Sequence, residues 1–268
     1  MDFKEWIGKS SEMEFTLNPE TFRSYQEQMD TDGSFTDEGD LLPPFGYWFY
    51  VADQDNGSFN DIFKDSGDLN IYWRSGKISV NTPLVVGRDC KSVLKIKDVE
   101  SLSEEDQSFL ITLSQRVLTG RSAAIEEELQ VVAAGNSGNQ QKRHRIDFDP
   151  DWELEIDQNR AEKYLTLEPR IFGRPAPDIL SGLGEQEKQS AGPSIQGPPG
   201  MILLLETFSE NFGSRKIESL NYRSYGVENV DSLTIACRDT DTYQTSMRLI
   251  NSRRQVFFST EIQWNYAW

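Results

Sequence analysis

The stretch Ser194-Ile-Gln-Gly-Pro-Pro-Gly-Met-Ile-Leu-Leu-Leu-Glu-Thr-Phe208 decides the fold of this 268-residue chain. Gly197 and Pro198 form a turn, and Pro199 suits the first position of a helix, where its missing N–H costs nothing. The run Met201–Leu205 is apolar on every side, so the helix that contains it must be buried. The sequence therefore predicts a central buried helix in the second half of the chain.

Strand-like segments follow this helix, each bounded by turn residues. They are Lys216–Tyr222, Ser232–Arg238, Tyr243–Ile250 and Gln255–Gln263. The first half of the chain has the same order, because a helix capped by Asn18 precedes strand-like segments. Two of these segments, Phe109–Leu118 and Ala123–Ala134, flank a turn at Gly120-Arg121. We interpret this as a repeat of architecture, helix then antiparallel sheet, without a repeat of sequence.

The domain boundaries follow from composition. Residues 135–158 combine a polar run, the basic group Lys142–Arg145 and an acidic run, which is typical of a linker. We therefore predict an N-terminal domain of residues 1–134 and a C-terminal domain of residues 159–268, with an α+β fold class. A second loop, Phe172–Gly197, is rich in Gly, Pro and Ser, and loops of this length are either functional or disordered.

Composition and charge exclude several classes of binding partner and of functional site. The net charge of −17 argues against nucleic acid and against an anionic membrane surface. Cys90 and Cys237 are too few for a disulfide framework, and no metal-ligand spacing or phosphate-binding loop occurs. The only histidine, His144, lies in the basic group and is expected in a solvated turn. The start of the chain lacks a signal-peptide pattern, so we expect a cytoplasmic protein. Because the metal-ligand and phosphate-binding motifs are missing, we also expect no metal or cofactor.

Successive short motifs carry a resemblance to a known family. They are Trp6–Lys9, Leu42–Trp48, Pro83–Arg88, Gly120–Ser122 and Gln196–Pro199. In this order they resemble the MaoC-like double-hotdog dehydratases, which include hydroxyacyl-thioester dehydratase type 2 and the mesaconyl/itaconyl-CoA hydratases. The resemblance covers nearly the whole chain and implies a double hotdog, in which each of two antiparallel sheets wraps a helix. It also implies reversible addition of water to an α,β-unsaturated thioester.

The sequence departs from the family in the segment that carries the chemistry. An Asn-x-His-Arg-Ile-His-like segment of the family corresponds here to Leu167–Arg174, in which Arg170-Ile171 matches. Phe172 and Pro169 stand where the family has histidines, and Gln196 replaces the histidine that often precedes Gly-Pro. The acid/base histidines of the family therefore do not carry over to this chain.

Four residues are the catalytic candidates that remain. Glu168 can act as a base if burial raises its pKa, although a solvated loop glutamate is the alternative. Arg170 can clamp a carboxylate or form a salt bridge, and Gln196 can hydrogen-bond a substrate or cap the helix. Tyr164 can donate a hydrogen bond to a substrate carbonyl. None of these residue types at this spacing indicates a metal site.

Aromatic and apolar residues around these candidates are expected to contact the substrate. The substrate-binding candidates are Phe172, Gly197, Tyr47, Trp48, Trp73 and Met201. Large aromatic side chains also fill cores, so ordinary packing is the alternative for most of them. The expected ligand is a small apolar molecule, and a homodimer is left open.

Three function classes remain open at this level. The first is a cofactor-independent enzyme of natural-product metabolism that cyclises or rearranges an apolar unsaturated substrate, as a pericyclase does, by holding a near-attack conformer. The second is a hydratase or dehydratase of α,β-unsaturated acyl thioesters with Glu168 as the base. The third is a non-catalytic protein that binds an apolar ligand.

Overall fold

The computed structural model describes residues 3–29, 37–51, 58–63, 70–103, 108–134, 144–157, 159–160, 163, 198–225 and 232–266. The chain forms two compact units. The first unit consists of Met1–Tyr72, Gly76–Ser137 and Pro169–Arg174, and the second of Trp73–Ser75, Gly138–Glu168 and Pro175–Trp268.

The first unit combines short helices with long strands. After a 3₁₀ turn at Phe3–Trp6, its elements are β1 Ser10–Thr16, α1 Pro19–Met29, β2 Leu41–Leu42, α2 Trp48–Val51, α3 Ser58–Phe63, β3 Asn70–Val80 (except Trp73–Ser75, which belong to the second unit), β4 Leu84–Val85, β5 Asp89–Ser103, β6 Ser108–Thr119 and β7 Ser122–Ala134. The sheet of this unit has the strand order β1-β5-β6-β7-β3, and β2 pairs with β4 separately. The helix predicted after Asn18 is confirmed, because the Glu20 N–H donates to Asn18 Oδ1 at 2.9 Å.

The β6–β7 hairpin confirms the turn predicted at Gly120-Arg121. Thr119 pairs with Ser122, so only two residues connect the strands. Gly120 has φ +62°, a left-handed conformation that glycine adopts without a steric penalty. This tight connection sets the register next to the turn, and an irregularity between Val117 and Leu118 shifts the pairing by one residue along the rest of the hairpin.

The second unit contains the long central helix. Its elements are β8 His144–Arg145, β9 Trp152–Ile156, α4 Pro198–Asn211, β10 Arg215–Ser224, β11 Leu233–Asp241, β12 Gln244–Ile250 and β13 Gln255–Tyr266. The strand order is β10-β13-β12-β11-β9, and β8 pairs with β13. The four predicted strands of this half are confirmed as β10 to β13. The range 135–158, predicted to be a linker, contains β8 and β9, which both pair in this sheet.

The central helix α4 is buried as its sequence predicts. Each residue from Met201 to Leu205 has no exposed surface. Gly200 lies in the first turn, where an added Cβ would lie 3.2 Å from the ring of Phe258. The N-terminal turn of α4 therefore packs directly against β13, and this contact positions the region that we consider next.

Candidate functional site

A stack of aromatic rings lies beside the start of α4 in the second unit. Trp73 and Tyr222 are stacked with ring centroids 5.6 Å apart, and Tyr222 stacks on Phe258 at 5.9 Å. Phe258 contacts Gly200, and Met201 follows on the buried helix. The structure therefore places two of the substrate-binding candidates, Trp73 and Met201, in the buried part of the second unit.

The register of β10 and β13 shows which side chains share the helix-facing side of this sheet. Ser224 is opposite Phe258, and Tyr222 is opposite Thr260. Because Phe258 contacts the helix and side chains alternate along a strand, these residues all face α4. The helix-facing side chains of the two strands include Leu220, Tyr222, Ser224, Phe258, Thr260 and Ile262. This surface is aliphatic, aromatic and hydroxyl-bearing, and none of these six residues carries a carboxylate or an imidazole.

Buried hydroxyl groups are the polar feature of this region. Among the described residues, the hydroxyl oxygens of Ser224 and Thr260 have no hydrogen-bond partner, and neither has that of Thr207 on α4. A buried hydroxyl without a partner is costly, so such groups are frequent where a ligand or water completes the bonding. They can donate a hydrogen bond to a carbonyl oxygen, but they are too weakly basic to abstract a proton from carbon.

The single histidine lies on the other side of the same sheet. Ser259 comes between Phe258 and Thr260, so its side chain points away from α4. Its hydroxyl donates to the Tyr225 hydroxyl at 3.5 Å, and the His144 ring lies 4.6 Å from the Tyr225 ring. His144 is on the exposed strand β8. The expected solvent exposure is confirmed, and the imidazole does not reach the helix-facing side of the sheet.

The two other aromatic candidates lie in the first unit and are fully buried. The Tyr47 hydroxyl donates a hydrogen bond to Glu127 Oε2 at 2.6 Å, and the Tyr47 and Trp48 rings are 5.4 Å apart. Burial, and then the charge of Glu127, raises the pKa of Tyr47 well above its ordinary value. Tyr47 therefore stays protonated at neutral pH and acts as a donor.

Glu127 was not among the residues selected from the sequence, although a signal for it existed. On β7 the inward positions Ile125 and Leu129 are apolar, and a period of two places Glu127 between them on the same face. A carboxylate at an inward position of a strand is rare because burying its charge is costly. The neighbouring Glu126 and Glu128 obscured it, since the three glutamates together look like a solvated edge.

Several candidates lie outside the described residues. They are Tyr164, Glu168, Arg170, Phe172, Gln196 and Gly197. Their assignment to a site therefore stays a prediction. Within the described ranges, no group of three or more His, Cys, Asp or Glu side chains could hold a metal ion. No helix in the same part of the chain is long and apolar enough to cross a membrane.

The two cysteines are buried thiols. Burial, followed by the charge of Asp89, raises the pKa of Cys90 to about 11. Burial also raises the pKa of Cys237 to about 12, with the charge of Asp239 as the next cause. Both thiols are free in the structure, which agrees with the expectation that two cysteines form no disulfide framework. Neither is suited to act as a nucleophile at neutral pH.

Solved structures resemble this chain over nearly its whole length. A MaoC-like dehydratase from Phytophthora capsici matches with a TM-score of 0.66 at 13% identity, covering 98% of this chain and 97% of that one. HtdX of Mycobacterium tuberculosis matches with a TM-score of 0.62 at 11% identity, over 96% of this chain and 100% of that one. A conserved M. tuberculosis protein described as a double hotdog matches with a TM-score of 0.55 at 8% identity, over 97% and 96%.

The fold is a double hotdog. The α+β class and the arrangement expected from the sequence motifs are thereby confirmed. No family model and no curated protein sequence matches the chain. The sequence identities to these structures are only 8–13%, so the similarity establishes the fold of this chain. The reaction of this chain has to be argued from its own side chains.

Proposed function

We propose that this double hotdog is a cofactor-independent enzyme that cyclises or rearranges an apolar unsaturated substrate, with the reaction in the second unit. One observation carries the proposal. The only imidazole of the chain lies on the face of the sheet away from α4, whereas the six helix-facing residues named above on β10 and β13 are apolar, aromatic or hydroxyl-bearing. Such a surface suits a reaction that needs shape and hydrogen bonds more than proton transfer.

A reactive polyene can be accelerated by these groups without an acid/base pair. Aromatic faces such as Trp73 and Tyr222 can hold a conjugated chain in a folded, near-attack conformer, which supplies a large part of the barrier reduction. A hydroxyl donor such as that of Ser224 or Thr260 can polarise a carbonyl conjugated with the reacting double bond. The predicted contributions of Gln196 and Arg170 would act in the same way on the substrate carbonyl.

The other predicted residues have defined roles in this proposal. Phe172, where the family has histidine, would form an apolar wall instead of a base. Gly197 would allow the substrate to approach the start of α4, while Met201 would contact its apolar body. Tyr164 would donate a further hydrogen bond. A natural-product pathway is the setting in which polyenes of this kind are made and folded.

A second candidate is a hydratase or dehydratase of acyl thioesters. The fold likeness favours it, since one of the similar structures is a MaoC-like dehydratase. This reaction needs a base of near-neutral pKa within hydrogen-bond reach of the carbon acid. Because the six helix-facing residues named on β10 and β13 include no base, Glu168 would have to supply it.

The experiment compares two substrate classes with matched variants. A synthetic linear triene joined to an α,β-unsaturated ketone is followed by liquid chromatography with mass detection for a new peak of unchanged mass. Crotonyl-CoA and a bulkier enoyl-CoA are followed by enoyl absorbance. Ser224→Ala and Thr260→Val remove helix-facing hydroxyls, whereas Ser259→Ala removes one on the opposite face and serves as the control.

We expect isomerisation of the triene, with kcat reduced about tenfold or more in Thr260→Val or Ser224→Ala and unchanged in Ser259→Ala, since one lost hydrogen bond to a developing charge has this size. Hydration of an enoyl-CoA that disappears in Glu168→Gln would establish the second candidate instead. Binding of the triene by calorimetry without acceleration over buffer would indicate a non-catalytic ligand-binding protein.

A further inference from the structure

The sheet of the second unit ends in the edge strand β9, Trp152–Ile156. This strand pairs with β11, and within the described ranges no other strand pairs with it. One side of β9 therefore carries backbone N–H and C=O groups that no described strand uses. Such an edge can take up a further extended chain through main-chain hydrogen bonds.

The inner row of β9 side chains is apolar and incompletely covered. Trp152, Leu154 and Ile156 lie opposite buried residues of β11, and the Trp152 ring lies 6.1 Å from the ring of Phe212, directly after α4. Ile156 is buried, whereas Trp152 and Leu154 are only half-buried. A strand added beside β9 would continue the inner layer and remove apolar surface of these two residues from water.

The outer row of β9 side chains is acidic. Glu153 and Glu155 are exposed and lie opposite uncharged residues of β11. The Glu153 carboxylate pairs with Arg254 at 2.7 Å, while Glu155 forms no ion pair with a described residue. Asp151 and Asp157, which are also exposed, continue the alternation of acids on either side of the strand. The edge therefore presents a negative row on one face and an apolar row on the other.

This charge pattern selects the chain that can pair with β9. Two copies pairing antiparallel about Leu154 would place Glu153 of each opposite Glu155 of the other, and like charges directly opposite destabilise a strand pair. A peptide with Lys or Arg at every second position would instead bring cations beside both carboxylates. Apolar residues between these cations would cover Trp152 and Leu154, because side chains alternate along a strand.

We propose that the β9 edge is a docking site for an extended segment of a partner protein, in which Lys or Arg alternates with apolar residues. The segment adds a strand to the sheet by main-chain pairing with β9. Its cations face Glu153 and Glu155, and its apolar side chains contact Trp152 and Leu154. This docking does not depend on the reaction proposed for the second unit.

The first test compares short peptides with blocked ends on the full chain. One alternates, Lys-Leu-Lys-Val-Lys-Leu-Lys, the second has the same composition with its lysines in one run, and the third has Glu in place of each Lys. Calorimetry at about 0.15 M salt measures binding where long-range attraction is screened. We expect the alternating peptide to bind at least about tenfold more tightly than the second, and the third not to bind. Equal affinities of the two basic peptides would overturn the proposal, since attraction to the net charge of −17 would then explain the binding.

Glu155→Lys tests the position of the site. It reverses the unpaired charge at an exposed position, and we expect the affinity for the alternating peptide to fall at least about tenfold. Glu14→Lys is the matched control, because it makes the same change at an exposed position of β1, the edge strand of the first unit. There α3 packs against the strand and Lys91 pairs with Glu12 at 2.6 Å. This control should bind as the unmodified chain does, and equal losses in the two variants would assign the binding to net charge and overturn the proposal.

Methylation of peptide nitrogens separates strand pairing from side-chain attraction and leaves the protein unchanged. The N–H groups of alternate residues in an extended strand point to opposite edges, so methylating either the lysine nitrogens or the apolar-residue nitrogens blocks one edge at a time. We expect one methylated peptide to lose at least about tenfold in affinity relative to the other. Equal affinities of the two would contradict main-chain pairing.

Light scattering identifies the alternative occupant, a second copy of this chain. We expect the same molecular mass per particle before and after the small peptide is added. A dimer that separates when the peptide binds would show that a second copy occupies the edge, and would overturn the choice of a basic segment. Because all these measurements record binding without turnover, failure here leaves the proposed reaction untouched.

Discussion

The Tyr47 hydroxyl hydrogen is donated to Glu127 although the two residues are 80 positions apart in the chain. Both side chains are buried, so the bond is shielded from water and neither group can exchange its partner for solvent. The raised pKa of Tyr47 keeps the proton on the phenol, and the carboxylate of Glu127 remains the acceptor. The bond therefore joins α2 and its preceding turn to the sheet of the first unit.

Removing this donor should destabilise the protein strongly. Tyr47→Phe leaves the buried carboxylate one donor short, and we expect the free energy of unfolding to fall by about 2–3 kcal/mol, the usual size for a bond to a charged group. Urea unfolding followed by tryptophan fluorescence measures this change. Tyr243→Phe is the control, because Tyr243 is exposed and its removal should change stability by less than about 0.5 kcal/mol.

The double variant Tyr47→Phe/Glu127→Leu tests whether the cost arises from the donor that the buried carboxylate loses. Replacing a buried charged group together with its partner by apolar residues is often neutral or stabilising. The double variant should therefore be more stable than Tyr47→Phe alone. A double variant that loses the sum of both single effects would contradict this interpretation.

The ion pair of Arg215 and Asp239 should make stability depend on pH at the acid end. The two guanidinium nitrogens bond to the two carboxylate oxygens at 2.7 Å each, and the guanidinium lies between the rings of Phe212 and Trp264. The hydrogen bonds from Arg215 lower the pKa of Asp239 below its ordinary value of 3.8. A lowered pKa contributes stability above the unfolded-state pKa, and this contribution is lost as the pH falls through the folded-state pKa.

Asp239→Asn measures that contribution. Because the Asp239 side chain is 42% exposed, solvent screening limits the loss at neutral pH to about 1 kcal/mol. The difference between the two proteins should be constant above the ordinary pKa and shrink as the pH is lowered further. Urea unfolding across this range measures it, with Asp149→Asn at an exposed position as the control. A difference that grows on acidification would have the wrong sign.

The thiols should be inert in the folded protein. With pKa values of about 11 for Cys90 and about 12 for Cys237, almost no thiolate exists at pH 8, and both side chains are buried. We expect no reaction with an aromatic disulfide reagent in buffer and two thiols per chain in urea. Cys90→Ala and Cys237→Ala assign each thiol. Rapid labelling of either cysteine under native conditions would show that its region opens readily.

Gly200 should not tolerate a side chain. A Cβ there would lie 3.2 Å from Phe258, which is fully buried and stacked on Tyr222 and so has little room to move. We expect Gly200→Ala to cost about 1 kcal/mol of unfolding free energy, because overpacking outweighs the gain in helix propensity. At Gly213 a Cβ would meet Ser209 O at an ordinary 3.7 Å, so Gly213→Ala should be close to neutral. Equal effects of the two substitutions would contradict a packing cause.

Local sequence patterns explain why much of the fold could be predicted from the sequence. The cap at Asn18, the two-residue turn at Gly120-Arg121 and the strands on either side of it depend on neighbouring residues only. The burial of α4 follows from a run without a polar face. Motifs in a consistent order led to the double hotdog, which the similar structures confirm. By contrast, Glu127 is one of three consecutive glutamates, and such a run in a sequence is typical of an exposed surface.

The sequence by itself determined α1, α4, the strands β6, β7 and β10 to β13, the turn at Gly120-Arg121 and the absence of any histidine besides His144, because these depend on residue type and on contacts a few positions apart. Only the tertiary structure decided which face each side chain occupies and which distant groups meet. The register of β10 and β13 places Ser224 and Thr260 towards α4 and Ser259 away from it. That register, like the contact of Tyr47 with Glu127, arises from packing between distant segments, and a slip of one residue would reverse every face.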